Sequence, residues 1–166
     1  MNKNQNKLIN YCYDLLARRR YSIREMVQKL EARNTKYETL CADTELQEIL
    51  AALLKANLIN DKDFAYFYIE AQLRRKPIGK IKMRQQLRRK GITEEIIAQT
   101  LNKAELDESE LAWKLLQKKA NAYHIDQFKD PKIQNRLLRY LAGNGFTAGV
   151  CYQAFKKLSK VNLELE

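Results

Sequence analysis

The chain has 166 residues, 45% of them apolar, which is enough for one ordinary domain or for a short array of smaller units. Five Gly, two Pro and three widely spaced cysteines argue against a loop-rich disulfide scaffold; the thiols are expected to be reduced and to act as small buried hydrophobes. The net charge of +11 is nearly all local: nine of the 31 Lys and Arg fall between Arg74 and Lys90, no Asp or Glu lies between Glu70 and Glu94, and the rest holds 22 basic against 20 acidic residues.

The polar start, residues 1–7, has no apolar core of signal-peptide type, and no stretch approaches a membrane span. A soluble, cytoplasmic, monomeric protein is expected. Leu8, Tyr11, Cys12, Leu15 and Leu16 recur at helical spacing and predict a first helix ending in Arg18, Arg19 and Arg20. Ser22 with Glu25 has the spacing of a capping box and opens a second helix through Ile23, Met26, Val27 and Leu30. Leu46, Ile49, Leu50, Leu53 and Leu54 form a third stripe that closes near Asn57.

The same grammar restarts at Asp61, where Phe64, Phe67, Tyr68 and Ile69 lead into Arg74, Arg75 and Lys76. Pro77 to Gly79 interrupts, Ile81, Met83 and Leu87 carry the next helix, and Gly91 stops it in a position suited to left-handed backbone. Thr93 then caps a helix that begins Glu94, Glu95 and buries Ile96, Ile97 and Leu101. A third round uses Leu111, Trp113, Leu115 and Leu116 before Lys118 and Lys119, then Ile133, Leu137, Leu138 and Leu141, then Val150, Cys151, Ala154 and Phe155.

The second and third rounds superimpose at a shift of 54 residues: Met83 on Leu137, Leu87 on Leu141, Gly91 on Gly145, Ile92 on Phe146, Thr93 on Thr147, Ile96 on Val150 and Leu101 on Phe155. The first fits the second at a shift of 57, with Met26 on Met83 and Leu30 on Leu87, although its second loop is longer and lacks the Gly. The fold class expected is therefore all-α, three tandem three-helix repeats spanning 1–58, 59–105 and 106–166, with neighbours sharing core in an elongated molecule.

Basic clusters close the first helix of every repeat. Cations at a helix C-terminus are favoured by about 0.3–1 kcal/mol each whatever the protein does, which leaves the first and third clusters open between that role and binding. The middle one continues through Lys80, Arg84 and Arg88, spaced by four on one helix surface, with Lys82, Arg89 and Lys90 beside them. Like charges so arranged repel unless an anion relieves them, so this segment is the foremost candidate surface for a polyanion or an acidic protein. Candidate partner- or DNA-binding residues are Arg18, Arg19, Arg20, Arg74, Arg75, Lys76, Lys80, Lys82, Arg84, Arg88, Arg89, Lys90, Lys118 and Lys119, together with Arg136 and Arg139.

Catalysis is not expected. The one histidine, His124, lacks companions at metal-ligand spacing and reads as structural or surface; no Gly-rich phosphate loop occurs; Glu94 and Glu95 read as helix N-terminal charges. No cofactor or metal is implied. Core packing accounts for most aromatics, with Trp113 expected between repeats, while Tyr66, Phe67, Tyr68 and Tyr140 lie near the cations and have the chemistry to stack on unpaired bases.

The run Leu58, Ile59, Asn60, Asp61, Phe64, Ala65 and Tyr68, followed by Arg75, Lys76, Gly79, Lys82, Met83, Arg84, Gln85, Leu87, Lys90, Gly91 and Ile92, resembles the central signature of the RecX regulatory proteins. That resemblance implies a curved molecule of three three-helix repeats that binds the RecA recombinase and its filament on single- or double-stranded DNA. It further implies lodging in the filament groove and lowered ATPase, strand-exchange and coprotease activity. The chain departs from the pattern at Pro77, Ile78 and Gly79, where a Gly-aromatic-Gly turn is commoner, and at Gln86, where an acid is. An independent nucleic-acid-binding module using the same charges on phosphate is the other reading the residues allow.

Overall fold

The computed structural model describes residues 2–36, 41–123, 127 and 129–163, so His124 lies outside the described residues. Nine α-helices are found among them: α1 Lys3–Arg18, α2 Ile23–Lys36, α3 Asp43–Lys55, α4 Asp61–Arg75, α5 Lys80–Arg89, α6 Glu94–Lys103, α7 Glu108–Ala120, α8 Pro131–Gly143 and α9 Ala148–Leu163. No strand occurs among the described residues. The helices follow the apolar stripes of the sequence, and the three-by-three order of the repeats holds.

The polar start is less a tail than a cap. Asn2 accepts from the Asn4 and Gln5 backbone N–H groups while Gln5 accepts from the Asn2 N–H, so α1 begins at Lys3, a turn earlier than its apolar stripe. Ser22 and Glu25 form the reciprocal bonds of a capping box at α2 (3.2 and 3.4 Å). Asp107 caps α7, and Asp130 caps α8 ahead of Pro131.

The repeat shows in backbone as well as burial. Gly91 and Gly145 adopt φ of 84° and 86°, and each turn closes with two bonds of the same pattern: Gly91 N–H to Arg88 O and Ile92 N–H to Leu87 O, Gly145 N–H to Ala142 O and Phe146 N–H to Leu141 O. Thr93 and Thr147 then accept from the N–H groups of Ile96 and Val150 (3.5 and 3.4 Å). Met83, Leu137, Leu87 and Leu141 are all buried.

The chain forms two compact units, Met1–Phe67 with Leu87–Ile97, and Tyr68–Gln86 with Ala98–Glu166. In the first, Leu8, Cys12, Leu15, Met26, Leu30, Ile49 and Leu53 make a core between α1, α2 and α3. In the second, Trp113, Leu116, Leu137, Leu141, Phe146 and Phe155 make a core between α7, α8 and α9. The first and third repeats therefore each bury a core of their own, whereas the middle repeat divides between the units. Trp113 corrects the expectation of packing between repeats, since it fills the third repeat's own core. The three cysteines are buried and free, and burial pushes the Cys12 thiol up to about 12, which leaves it inert.

Candidate partner and nucleic-acid interface

The first unit holds Arg18, Arg19, Arg20, Arg88, Arg89 and Lys90. Glu25 on α2 draws two of them in: Arg19 Nη1 lies 3.0 Å and Lys90 Nζ 2.7 Å from its carboxylate oxygens. Burial opposes the charged form of Glu25, but the bonds and charges of Lys90 and Arg19 prevail and hold its pKa below the ordinary 4.5. Arg19 also stacks 3.7 Å over Tyr21, and Arg20 lies 3.8 Å over Phe67. Arg88 Nε donates to Glu94 at 2.7 Å, so part of the repulsion expected along α5 is relieved from within the chain. Arg18 and Arg89 are exposed.

The second unit holds Arg74, Arg75, Lys76, Lys80, Lys82, Arg84, Lys118, Lys119, Arg136 and Arg139. Lys82 Nζ donates to Gly143 O (3.1 Å) and Asn144 Oδ1 (3.5 Å), and Arg74 pairs with Glu70 one turn earlier on α4. Lys80 uses its backbone N–H, which donates to Glu108 at 2.9 Å. Arg75, Arg84, Lys118, Arg136 and Arg139 are exposed. At Gln86, where the resemblance leads one to expect an acid, the amide oxygen accepts from the Tyr68 hydroxyl at 3.1 Å.

Three stretches distant in sequence meet at Tyr140. Lys76, just after α4, and Lys119, near the end of α7, bring their ammonium groups to 5.4 and 5.6 Å from the Tyr140 ring centroid. One turn before Tyr140 lies Arg136, and Lys132, Asn135, Arg136 and Arg139 line a shallow depression of about 360 Å³ on α8. Lys132 is not among the sequence candidates; its spacing of four from Arg136 and seven from Arg139 is the signal that places it on their face. Two ammonium groups beside one ring, with a basic helix face next to it, form an arrangement suited to a polyanion and poorly suited to a neutral ligand.

Among the described residues, no group of His, Cys, Asp and Glu is placed to hold a metal ion, and no helix is long and apolar enough to cross a membrane.

Residues 60–101 match the family profile described as RecX, second three-helix domain, and residues 107–155 match RecX, third three-helix domain. The chain is 33% identical over 138 residues to Regulatory protein RecX of Haemophilus influenzae strain PittEE, covering 82% of this chain and 85% of that protein. It is 33% identical over 140 residues to Regulatory protein RecX of Mannheimia succiniciproducens, covering 84% and 86%. A crystal structure of RecX from Lactobacillus salivarius superimposes with a TM-score of 0.79 at 22% identity, over 95% of this chain and 98% of the other, which shows a common fold. A second structure, of regulatory protein RecX, superimposes with a TM-score of 0.74 at 25% identity, over 93% and 72%.

Proposed function

The chain belongs to the RecX family of regulatory proteins, and from that membership we propose that it binds a RecA-type recombinase filament on DNA and lowers its ATPase, strand-exchange and coprotease activities. It acts as a monomer in the cytoplasm and catalyses nothing. The observation that carries this reading is the gathering of Lys76 and Lys119 at Tyr140 beside Arg136 and Arg139, which joins cations from three stretches of the chain into one patch. A filament of protein on DNA offers both acidic side chains and phosphates to such a patch, and several simultaneous phosphate contacts make binding fall steeply with salt.

The internal bonds decide which residues are fit to test. Lys82 and Lys90 tie helices together and Arg88 is paired with Glu94, so their loss removes internal bonds as well as any contact with a partner. Exposed Arg136 and Arg139, which lie in the patch beside Tyr140, are cleaner probes. Replacing these two with Ala is expected to abolish inhibition of recombinase ATP hydrolysis on single-stranded DNA, with helicity and melting temperature unchanged. Inhibition that survives in the folded variant rejects this surface. Inhibition by the wild type at salt concentrations where it does not bind DNA alone separates a filament regulator from a module acting only on phosphate.

A further inference from the structure

In the first unit the side chains of Arg20, Phe67 and Tyr66 form a contiguous stack. The Arg20 guanidinium lies 3.8 Å over the Phe67 ring centroid, and the Phe67 and Tyr66 rings meet edge to face, with centroids 5.4 Å apart and planes at 82°. Phe64, Ala65 and Ile69 supply the buried face of α4, yet Tyr66 and Phe67 each remain 40% exposed. These two rings are therefore surplus to the core. Arg18 adds an exposed cation a short way along the chain, whereas Arg19 is engaged by Glu25 and Tyr21.

Exposed aromatic faces beside guanidinium groups suit a ligand that carries both flat π surfaces and regularly spaced negative charge. An acidic peptide would satisfy the arginines and leave the rings wet. Duplex DNA would present phosphates, but its base faces are already covered by their neighbours. Unpaired nucleic acid offers both features at once, because every base has a free face and stacking tolerates any sequence.

We propose that Tyr66 and Phe67 form a base-stacking site for single-stranded nucleic acid, with Arg20 fixing the Phe67 ring and Arg18 and Arg20 neutralising the flanking phosphates. This rests on the reading that the protein works on recombinase filaments on DNA, and adds a direct grip on unpaired strand that the α8 cations do not need. Stacking reads the base and not the phosphate, so an abasic strand isolates it.

The test is fluorescence anisotropy of the full chain with a labelled oligothymidylate of about a dozen nucleotides, against an abasic strand of equal length and charge and a duplex of the same length. The wild type is expected to bind the base-bearing strand on the order of tenfold more tightly than the abasic one. Tyr66→Ala and Phe67→Ala should each shrink that ratio without changing affinity for the abasic strand. Tyr66→Leu, which keeps bulk without a π face, should behave as Tyr66→Ala, and Arg20→Ala should weaken binding to both strands. Equal wild-type affinity for the two strands, tighter binding to duplex, or a base preference that survives in Tyr66→Leu overturns the site. Recombinase inhibition is measured alongside: a lost stacking site with inhibition intact removes this proposal alone, whereas lost inhibition in the Arg136 and Arg139 variant bears on the regulator.

Discussion

Two junctions in the molecule occupy equivalent positions and use opposite chemistry. In the first unit, the start of α2 meets the α5–α6 turn: Ser22 Oγ donates to Lys90 O at 2.7 Å, and Glu25 receives Lys90 Nζ at 2.7 Å. Fifty-seven residues on, in the second unit, Gly79 and Lys82 replace Ser22 and Glu25; Gly79 N–H donates to Asn144 O at 2.9 Å, and Lys82 Nζ donates to Gly143 O and Asn144 Oδ1. Asn144 and Gly145 take the places of Lys90 and Gly91. Even the cap is shared, since the first residue of α4, Asp61, receives the Ile23 N–H and the first residue of α7, Glu108, receives the Lys80 N–H, both at 2.9 Å. The repeat thus keeps where contact is made and reverses which side brings the cation. A Glu25 carboxylate docked on the α8–α9 turn would face the oxygens of Gly143 and Asn144 in place of an ammonium group, so the reversal discriminates between the two turns.

The glycines break the comparison most severely. A Cβ on Gly79 would lie 2.1 Å from Gly145 O and 2.6 Å from Phe146 N, both backbone atoms that cannot rotate away. Gly79→Ala should therefore cost about 3 kcal/mol or more and lower the melting temperature, with Trp113 fluorescence reporting the second unit. Gly91→Ala should cost a comparable amount, because its left-handed φ of 84° is strained for Ala by about 1–2 kcal/mol and its Cβ would lie 2.5 Å from the Arg24 Cβ, which is fixed to the α2 backbone. A melting temperature unchanged in the Gly79 variant would show that the second junction is looser than these distances state.

Charge reversal comes next in size. Glu25→Lys gathers a third cation with Arg19 and Lys90 at one half-buried point, and should cost about 2 kcal/mol in a denaturant titration. Adding Lys90→Glu restores an opposite pair across the first junction and should recover a large part of that loss. Additive losses in the double variant would mean that the 2.7 Å bond contributes no coupling.

The helices were legible because amphipathic stripes repeat three times and because Gly91 and Gly145 mark equivalent turns. The reach of each core was not. Periodicity tells which face of a helix is buried and not which neighbour covers it, so the stripe around Trp113 suggests a seam although the ring belongs to the third repeat's own core. The candidate cations were visible as a composition, but their partners were not: Glu25 is 65 residues from Lys90, and Lys82 is 61 from Gly143. Nor does sequence spacing bring Lys76 and Lys119 to Tyr140. A charge run read alone overstates how many of its members face outward, since those that tie repeats together have the same letters as those that meet a partner.

The smallest expected difference is one of pH. The folded state holds Glu25 below its ordinary 4.5, so its contribution is present above about pH 4.5 and is lost as the pH falls through the depressed value. Asp61 runs the other way: burial raises its pKa despite the bond from the Ile23 N–H, so the stability linked to its protonation is lost as the pH rises through that raised value. Because Asp61 is present in both proteins, it cancels to a first approximation in the difference between wild type and Glu25→Gln. That difference should favour the wild type near neutral pH and close as the solution is acidified. At the second junction the cation, Lys82, is bonded to a carbonyl and an amide oxygen that take up no proton in this range, and the carboxylate there, Glu108, receives the Lys80 backbone N–H and does not hold Lys82. Amide-exchange protection, corrected for intrinsic rates, should therefore fall on acidification at Gly91 before it falls at Gly145. Equal losses at the two glycines would mean that Glu25 is not what sets the first junction apart.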